Sequence, residues 1–318
     1  MKKLFSAMAT AGLAVAASLG GALAADGATK PLKHPHFHWE GPFGTFERDQ
    51  LQRGYQVYRE VCAACHSMEL VAFRHLGDPG GPYYLEECPR ELDLPSSVNC
   101  SDPAQNPIIK SLAASFQIED GPDDAGDMFM RPGLPADYLP SPYANPQQAA
   151  AANGGAYPPD MSLLTKARHH GPQYIYSLIT GYVDVPAALN VPAGQYYNPY
   201  YPGDTSSLIR EEFMDEEGHV LKDRLKQAVD PSLISEKGVV YGGAFKMAAP
   251  LSDGIVTYED GSPETVEQYA EDVTAFLTWA AEPKMEQRKS MGQFVLIYLV
   301  IFAGVVYASY RRIWRNVH

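Results

Sequence analysis

The sequence predicts a mainly α fold: a loop-rich exported domain followed by one C-terminal transmembrane helix. Three observations carry this. Apolar residues recur at helical spacing at both ends of a long middle region, at Leu51, Tyr55, Tyr58 and Cys62 and again at Val266, Tyr269, Val273, Phe276, Leu277 and Ala280. The 27 glycines and 26 prolines are concentrated between Gly77 and Gly203, a shell of turns that needs something besides its own side chains for a core. Met291 to Tyr310 is a run of twenty residues without a formal charge, long enough to cross a hydrocarbon layer about 30 Å thick. The 318 residues could hold two average domains, but one domain with long loops plus targeting and membrane segments suits this distribution better.

In chain order, residues 1–24 read as a signal peptide, with Lys2 and Lys3, an apolar run from Ala11 to Leu23, and Ala22-Leu23-Ala24 as the cleavage pattern. The exported domain is then 25–287. Its start, Lys33-His34-Pro35-His36-Phe37-His38-Trp39, alternates three histidines along one side of an extended segment; no acid or thiol accompanies them, so the run is poor as a metal site. From Thr45 the pattern is helical. Gly54 on this helix costs about 1 kcal/mol relative to alanine, which predicts that a second helix crosses closely there. The natural partner has Ser262 as N-cap, Pro263 in the first position, the apolar face Val266 to Ala280, and Pro283 as its stop. Between the two, helices are expected over 107–116, 146–152 and 172–180, with no strand-rich domain and no internal repeat. The anchor occupies 288–310, bracketed by Arg288, Lys289, Arg311, Arg312 and Arg315, a pattern that a buried soluble helix would not show. The tail 311–318 is expected in the cytoplasm, in keeping with the positive-inside rule.

The chemistry lies in Cys62-Ala63-Ala64-Cys65-His66. In an exported protein the motif C-x-x-C-H reads first as a covalent haem attachment site. On a helix the two sulfurs and the imidazole share one face, so the thiols can form thioethers while His66 serves as proximal iron ligand. A zinc half-site would want a second donor pair, and a redox C-x-x-C would want a βαβ pattern. One covalently bound haem c is therefore expected, in a cytochrome c-type domain whose two terminal helices cross over one haem edge. A sixth ligand would be Met or His. Met68 is too close to His66 to reach the other haem face, and Met285 abuts the membrane. Met128, Met130, Met161, Met214 and Met247 stay open, with Met247 favoured by its Gly- and Pro-punctuated loop ahead of the closing helix.

Charge and cysteine usage bound the partners. Between Asp26 and Glu286 lie all 38 acidic residues and 18 of the basic ones, a net charge of −20, which excludes nucleic acid and suits a basic protein partner. Cys88 and Cys100 remain in a Pro-bounded loop of an oxidising compartment and are expected to pair.

Several segments in order, Arg53-Gly54-Tyr55-Gln56-Val57-Tyr58, Met128-Phe129-Met130-Arg131-Pro132-Gly133, Pro158-Pro159-Asp160, Ala167-Arg168-His169, Tyr197-Asn198-Pro199-Tyr200-Tyr201-Pro202-Gly203 and Trp279-Ala280-Ala281-Glu282-Pro283, resemble the cytochrome c1 family across the mature protein. The resemblance implies that Met247 is the distal ligand and that Arg168 faces a haem propionate. It further implies a redox subunit of quinol:cytochrome c reductase, the cytochrome bc1 complex. Such a subunit takes electrons from a Rieske iron–sulfur protein beside cytochrome b and passes them to a basic soluble cytochrome c. The chain would cross a bacterial inner membrane once, haem domain periplasmic, with no bond-making catalysis of its own. The rival is a haem sensor or peroxidase-like enzyme with a labile sixth ligand. Two features depart from the family: Asp204 to Val239 looks like an acidic insertion, and the Cys88 and Cys100 pair is not general.

Overall fold

The computed structural model describes residues 28–316; the expected signal peptide lies outside the described residues. Its helices are α1 (Arg48–Glu60), α2 (Pro107–Ala114), α3 (Pro146–Ala152), α4 (Gly171–Ile179), α5 (Lys222–Ala228), α6 (Val266–Ala281) and α7 (Met285–Trp314). Strands are few and short. β1 (Gln117–Asp120) pairs antiparallel with β2 (Phe129–Pro132), and β3 (Tyr196–Asn198) pairs with β4 (Gly243–Phe245). The mainly α expectation holds, and the three middle helices fall within two residues of their expected bounds.

The protein forms two compact units, one larger (Pro31–Tyr182, Ala193–Tyr196 and everything from Lys246) and one smaller (Val183–Pro192 and Tyr197–Phe245 with the described residues up to Lys30). In the larger unit α1 lies against α6 through Leu51, Tyr55, Tyr58, Phe276 and Trp279, all at most 3% exposed. Gly54 makes the crossing possible: a Cβ there would stand 2.0 Å from the Asp272 carbonyl oxygen and 2.7 Å from the Phe276 Cβ. Asp272, fully buried, takes Arg53 Nε at 2.9 Å, Tyr258 Oη at 2.9 Å and Gln268 Nε2 at 3.0 Å. A buried carboxylate is tolerated only with partners of this kind. Two expected boundaries move. α1 begins at Arg48 rather than Thr45. The cap of α6 is Thr265, whose hydroxyl accepts from Gln268 N at 3.4 Å, while Ser262 is drawn into a turn with Asp260.

The smaller unit has its own core of Leu189, Tyr197, Ile209, Leu225, Val229 and Val240. It contains the whole stretch 204–239 expected to be an acidic insertion, and over 211–241 a repeat that the sequence reading does not find. A 3-10 turn at Glu211–Phe213 leads into a hairpin that pairs Met214 with Val220 around Gly218. Twenty residues on, Pro231–Leu233 leads into one that pairs Ile234 with Val240 around Gly238. Both copies close with the same hydrogen bonds, Leu221 N to Phe213 O and Tyr241 N to Leu233 O. Gly218 at φ +82 and Gly238 at φ +78 hold the left-handed position that each hairpin needs.

Two further features frame the larger unit. α7, thirty residues, is about 45 Å long at 1.5 Å per residue, longer than the expected 288–310 segment because Lys, Arg and Glu at its ends are good helix formers. Its apolar side chains face outward, Leu296 65% and Ile301 62% exposed, as in a helix meant for lipid. Cys88 and Cys100 are joined by a disulfide, and Cys100 is buried. Replacing both cysteines with alanine is expected to cost about 3 kcal/mol on a chain-entropy argument. Chemical unfolding of the double variant checks this; unchanged stability, or free thiols in fresh native protein, would contradict it.

Candidate functional site

α1 ends at Val61, its C-cap, which is still in the right-handed region (φ −116°, ψ −59°) and donates its N–H to Val57 O. Cys62–Ala64 then forms a 3-10 turn, with Cys65 N and His66 N both donating to Cys62 O at 3.1 and 2.9 Å. The expected continuous helix through His66 is therefore corrected to a helix plus a tight turn, because the Cys62 carbonyl takes both the Cys65 and the His66 N–H and the regular one-to-one ladder stops there. Cys62 is half-buried and Cys65 exposed, and they are not bonded to each other.

His66 is oriented by a loop distant in sequence. Its Nδ1 lies 2.8 Å from Pro159 O. A carbonyl only accepts, so Nδ1 carries the proton and Nε2 keeps the lone pair that a metal needs. Asp160 pins that loop: its carboxylate accepts from Ser67 Oγ, Glu69 N and Ser162 N at 2.8–2.9 Å, and Met161 N donates to Ser67 O at 2.8 Å. Burial works to raise the Asp160 pKa, but these hydrogen bonds outweigh it and hold the carboxyl below its ordinary range. Burial lowers the His66 pKa, favouring the neutral imidazole, and pushes the Cys62 thiol up to about 12. Neutral imidazole is the ligating form.

Of the methionines left open, Met161 is buried in the main core, as are the two set aside, Met68 and Met285; Met128 and Met130 are exposed on and beside β2, and Met214 belongs to the smaller unit. Met247 is half-buried on the loop after β4, in the larger unit with His66. Its carbonyl accepts from Tyr182 Oη at 3.0 Å, which ties the loop to the segment just beyond α4. Arg168 stands exposed between the Pro159 loop and α4, donating from Nη1 to Ala167 O at 3.0 Å. Sequence reasoning missed three positioning groups: the Pro159 carbonyl, Asp160 and Tyr182. The Pro158-Pro159-Asp160 run was their only signal, and Tyr182 carried none.

Cys62, Cys65 and His66 do not converge on one ion; among the described residues only Asp215, Glu217 and His219 do. Zinc is thus a poor fit for the C-x-x-C-H turn. A flat, largely apolar group bonded at both sulfurs fits better: Tyr157 and Leu163, flanking the Pro159 loop, are 49% and 48% exposed and would leave water beneath it. An oriented imidazole, two unbridged thiols and a membrane-length helix define a membrane-anchored protein of the mono-haem c type. Comparison with known proteins narrows this. The sequence matches the Cytochrome C1 family over residues 37–317. It is 41% identical to the cytochrome b/c1 of Bradyrhizobium diazoefficiens over 98% of this chain, which spans only 39% of that longer protein. It is 39% identical to cytochrome c1 of Rhodospirillum rubrum, covering 98% of this chain and 97% of that one. It is 38% identical to a mitochondrial cytochrome c1 heme protein of Arabidopsis thaliana, over 96% and 80%. The chain belongs to the cytochrome c1 family, and its cofactor is a covalently bound haem c.

Proposed function

We propose that this protein accepts electrons from the Rieske iron–sulfur protein of a cytochrome bc1 complex and passes them to a basic soluble cytochrome c, with its haem domain on the periplasmic side. Membership of the cytochrome c1 family makes the protein a membrane-anchored haem c electron carrier of the bc1 complex. Bound haem c supplies a one-electron couple. The protein's own residues would hold it: Cys62 and Cys65 through thioether bonds, His66 Nε2 and Met247 Sδ as the iron's donors, and Arg168 as partner for a propionate. The observation that carries the reading is the His66 to Pro159 hydrogen bond, which fixes one tautomer and leaves one nitrogen to bind. Absorption spectra of the purified protein, oxidised and reduced, with and without carbon monoxide, test it against the sensor or peroxidase rival. A low-spin spectrum indifferent to carbon monoxide is expected; a high-spin spectrum that carbon monoxide alters would favour the rival.

The acidic loop between β1 and β2 supports docking to a basic partner. Glu119, Asp120, Asp123, Asp124 and Asp127 crowd there, yet Asp120 is already paired with Arg131, and Asp123 accepts from Ala125 N at 2.8 Å and Asp127 N at 3.0 Å. Arg131 offsets the charge at Asp120, whereas the backbone hydrogen bonds leave Asp123 ionised and available to a partner. A second patch, Glu211, Glu212, Asp215, Glu216 and Glu217, lies in the smaller unit, where Asp215 pairs with His219 at 3.3 Å. Electron transfer to a basic cytochrome c is expected to slow steeply with salt, since the Debye length falls from about 30 Å at 0.01 M to about 8 Å at 0.15 M. Replacing Asp123, Asp124 and Asp127 by asparagine, which keeps the Asp123 acceptor oxygen, is expected to flatten that dependence without changing the haem spectrum. A rate indifferent to ionic strength would remove electrostatic docking from the proposal.

A further inference from the structure

The loop Trp39–Phe46 is laid along the first turns of α7, and its partners step along that helix in order. Phe46 N donates to Glu286 Oε1 at 2.7 Å; Lys289 Nζ donates to Trp39 O and to Gly44 O, the latter at 2.9 Å; Gln293 Nε2 donates to Pro42 O at 3.0 Å. Seven helical residues separate Glu286 from Gln293, about 10 Å of rise. The loop thus runs down α7 in the direction of the uncharged stretch, and its Pro42-Phe43 tip is level with the place where formal charge ends. Phe43 sits on that tip with 79% of its surface exposed, more than any large apolar side chain of α7 itself. Gly41, at φ +72, makes the turn and has nothing within 4 Å of where its Cβ would be, so the tip is open on that side.

An aromatic ring held out from a hydrogen-bonded loop is costly in water and well placed at a headgroup boundary, where amphipathic loops and aromatic belts collect. α7 is longer than the roughly 30 Å hydrocarbon layer needs, so its first turns belong to the domain and the boundary falls near Gln293. We propose that Phe43 is a membrane wedge: the Gly41–Gly44 loop inserts its ring among the phospholipids beside α7. This gives the domain a second point of attachment and sets its tilt on the bilayer. The inference rests on α7 being the membrane span, and the test separates the two.

The haem-loaded full-length protein would be placed in phosphatidylcholine and phosphatidylglycerol nanodiscs with a nitroxide at Phe43→Cys, Val300→Cys or Asp124→Cys in turn. The label at 43 is expected to collide with oxygen more often than with a water-soluble nickel complex, as the label at 300 does and the label at 124 does not. An aqueous signal at 43 with a lipid signal at 300 overturns the wedge alone; an aqueous signal at 300 overturns the span and the wedge with it. A label at 43 that is shielded only when the other subunits are present assigns the loop to a protein contact and also overturns the proposal. In the unmodified protein a carbene-generating phosphatidylcholine is expected to label the tryptic peptide His34–Arg48, and absence of that adduct counts against it.

Discussion

Met247→Leu is expected to keep both thioethers and the fold, and yet to lower the midpoint potential and stop electron transfer to cytochrome c. Leucine matches methionine in volume, and Met247 is only half-buried, so the cost in packing is below about 1.5 kcal/mol. The cost in ligation is much larger. Axial ligand identity moves haem potentials over roughly 0.8 V, so losing a thioether is expected to shift this one by on the order of a few hundred mV. Sulfur-to-iron charge transfer from a ligating methionine gives the oxidised haem a weak far-red band; that band should vanish, and carbon monoxide should bind the reduced variant. Two controls sharpen the result. Met68→Leu and Met161→Leu alter methionines buried in the core and should leave band and potential in place. Tyr182→Phe removes the hydroxyl that holds the Met247 carbonyl and should weaken the band without abolishing it. A Met247→Leu protein with the parental spectrum and potential would show that another residue is the ligand.

The parts of the proposed site legible in the sequence were those with fixed local spacing. Cys62, Cys65 and His66 could be proposed as attachment and ligand residues because covalent attachment of a haem constrains residues only three and four apart. The α1 and α6 pairing was readable because Gly54 is expensive in a helix unless something passes close, and the Asp272 carbonyl does. What could not be read depends on contacts between residues far apart in sequence. The Pro159 carbonyl reaches His66 across 93 residues, and Tyr182 reaches the Met247 backbone across 65. Main-chain acceptors leave no signature of residue type. The hairpin repeat escaped for a related reason. Between 211–221 and 231–241 only Glu216 and Glu236, Gly218 and Gly238, and Val220 and Val240 are identical; the rest of the likeness is in the backbone turns and pairings. The cap of α6 was misplaced because Ser262 and Thr265 are both good caps by type, and only the Asp260 carboxylate decides which one is engaged elsewhere.

Gly54→Ala is expected to be strongly destabilising to the larger unit, although alanine is the better helix former. Intrinsic propensity favours the variant by about 1 kcal/mol. Against this stands a Cβ placed 2.0 Å from the Asp272 carbonyl oxygen, where an ordinary contact is 3.4 Å or more. The obstacle is backbone at the middle of α6, so no side-chain rotation relieves it, and the helices must separate by more than 1 Å. Separation loosens the packing of Tyr55 on Phe276, whose ring centroids lie 5.5 Å apart, and lengthens the bonds from Arg53 to Asp272. Overpacking of a core costs typically 1–3 kcal/mol, and disturbing a buried ion pair adds to it, so a net loss of about 3 kcal/mol is expected. Asp272→Ala should cost a similar amount, toward the lower end for a buried pair, because Arg53 keeps Asp260 at 2.7 Å. Since both changes act on one crossing, the double variant should lose less than the sum. Thermal unfolding of the haem-loaded protein in detergent, followed at the Soret band, checks all three. A Gly54→Ala protein as stable as the parent would mean that α1 and α6 do not cross at this glycine.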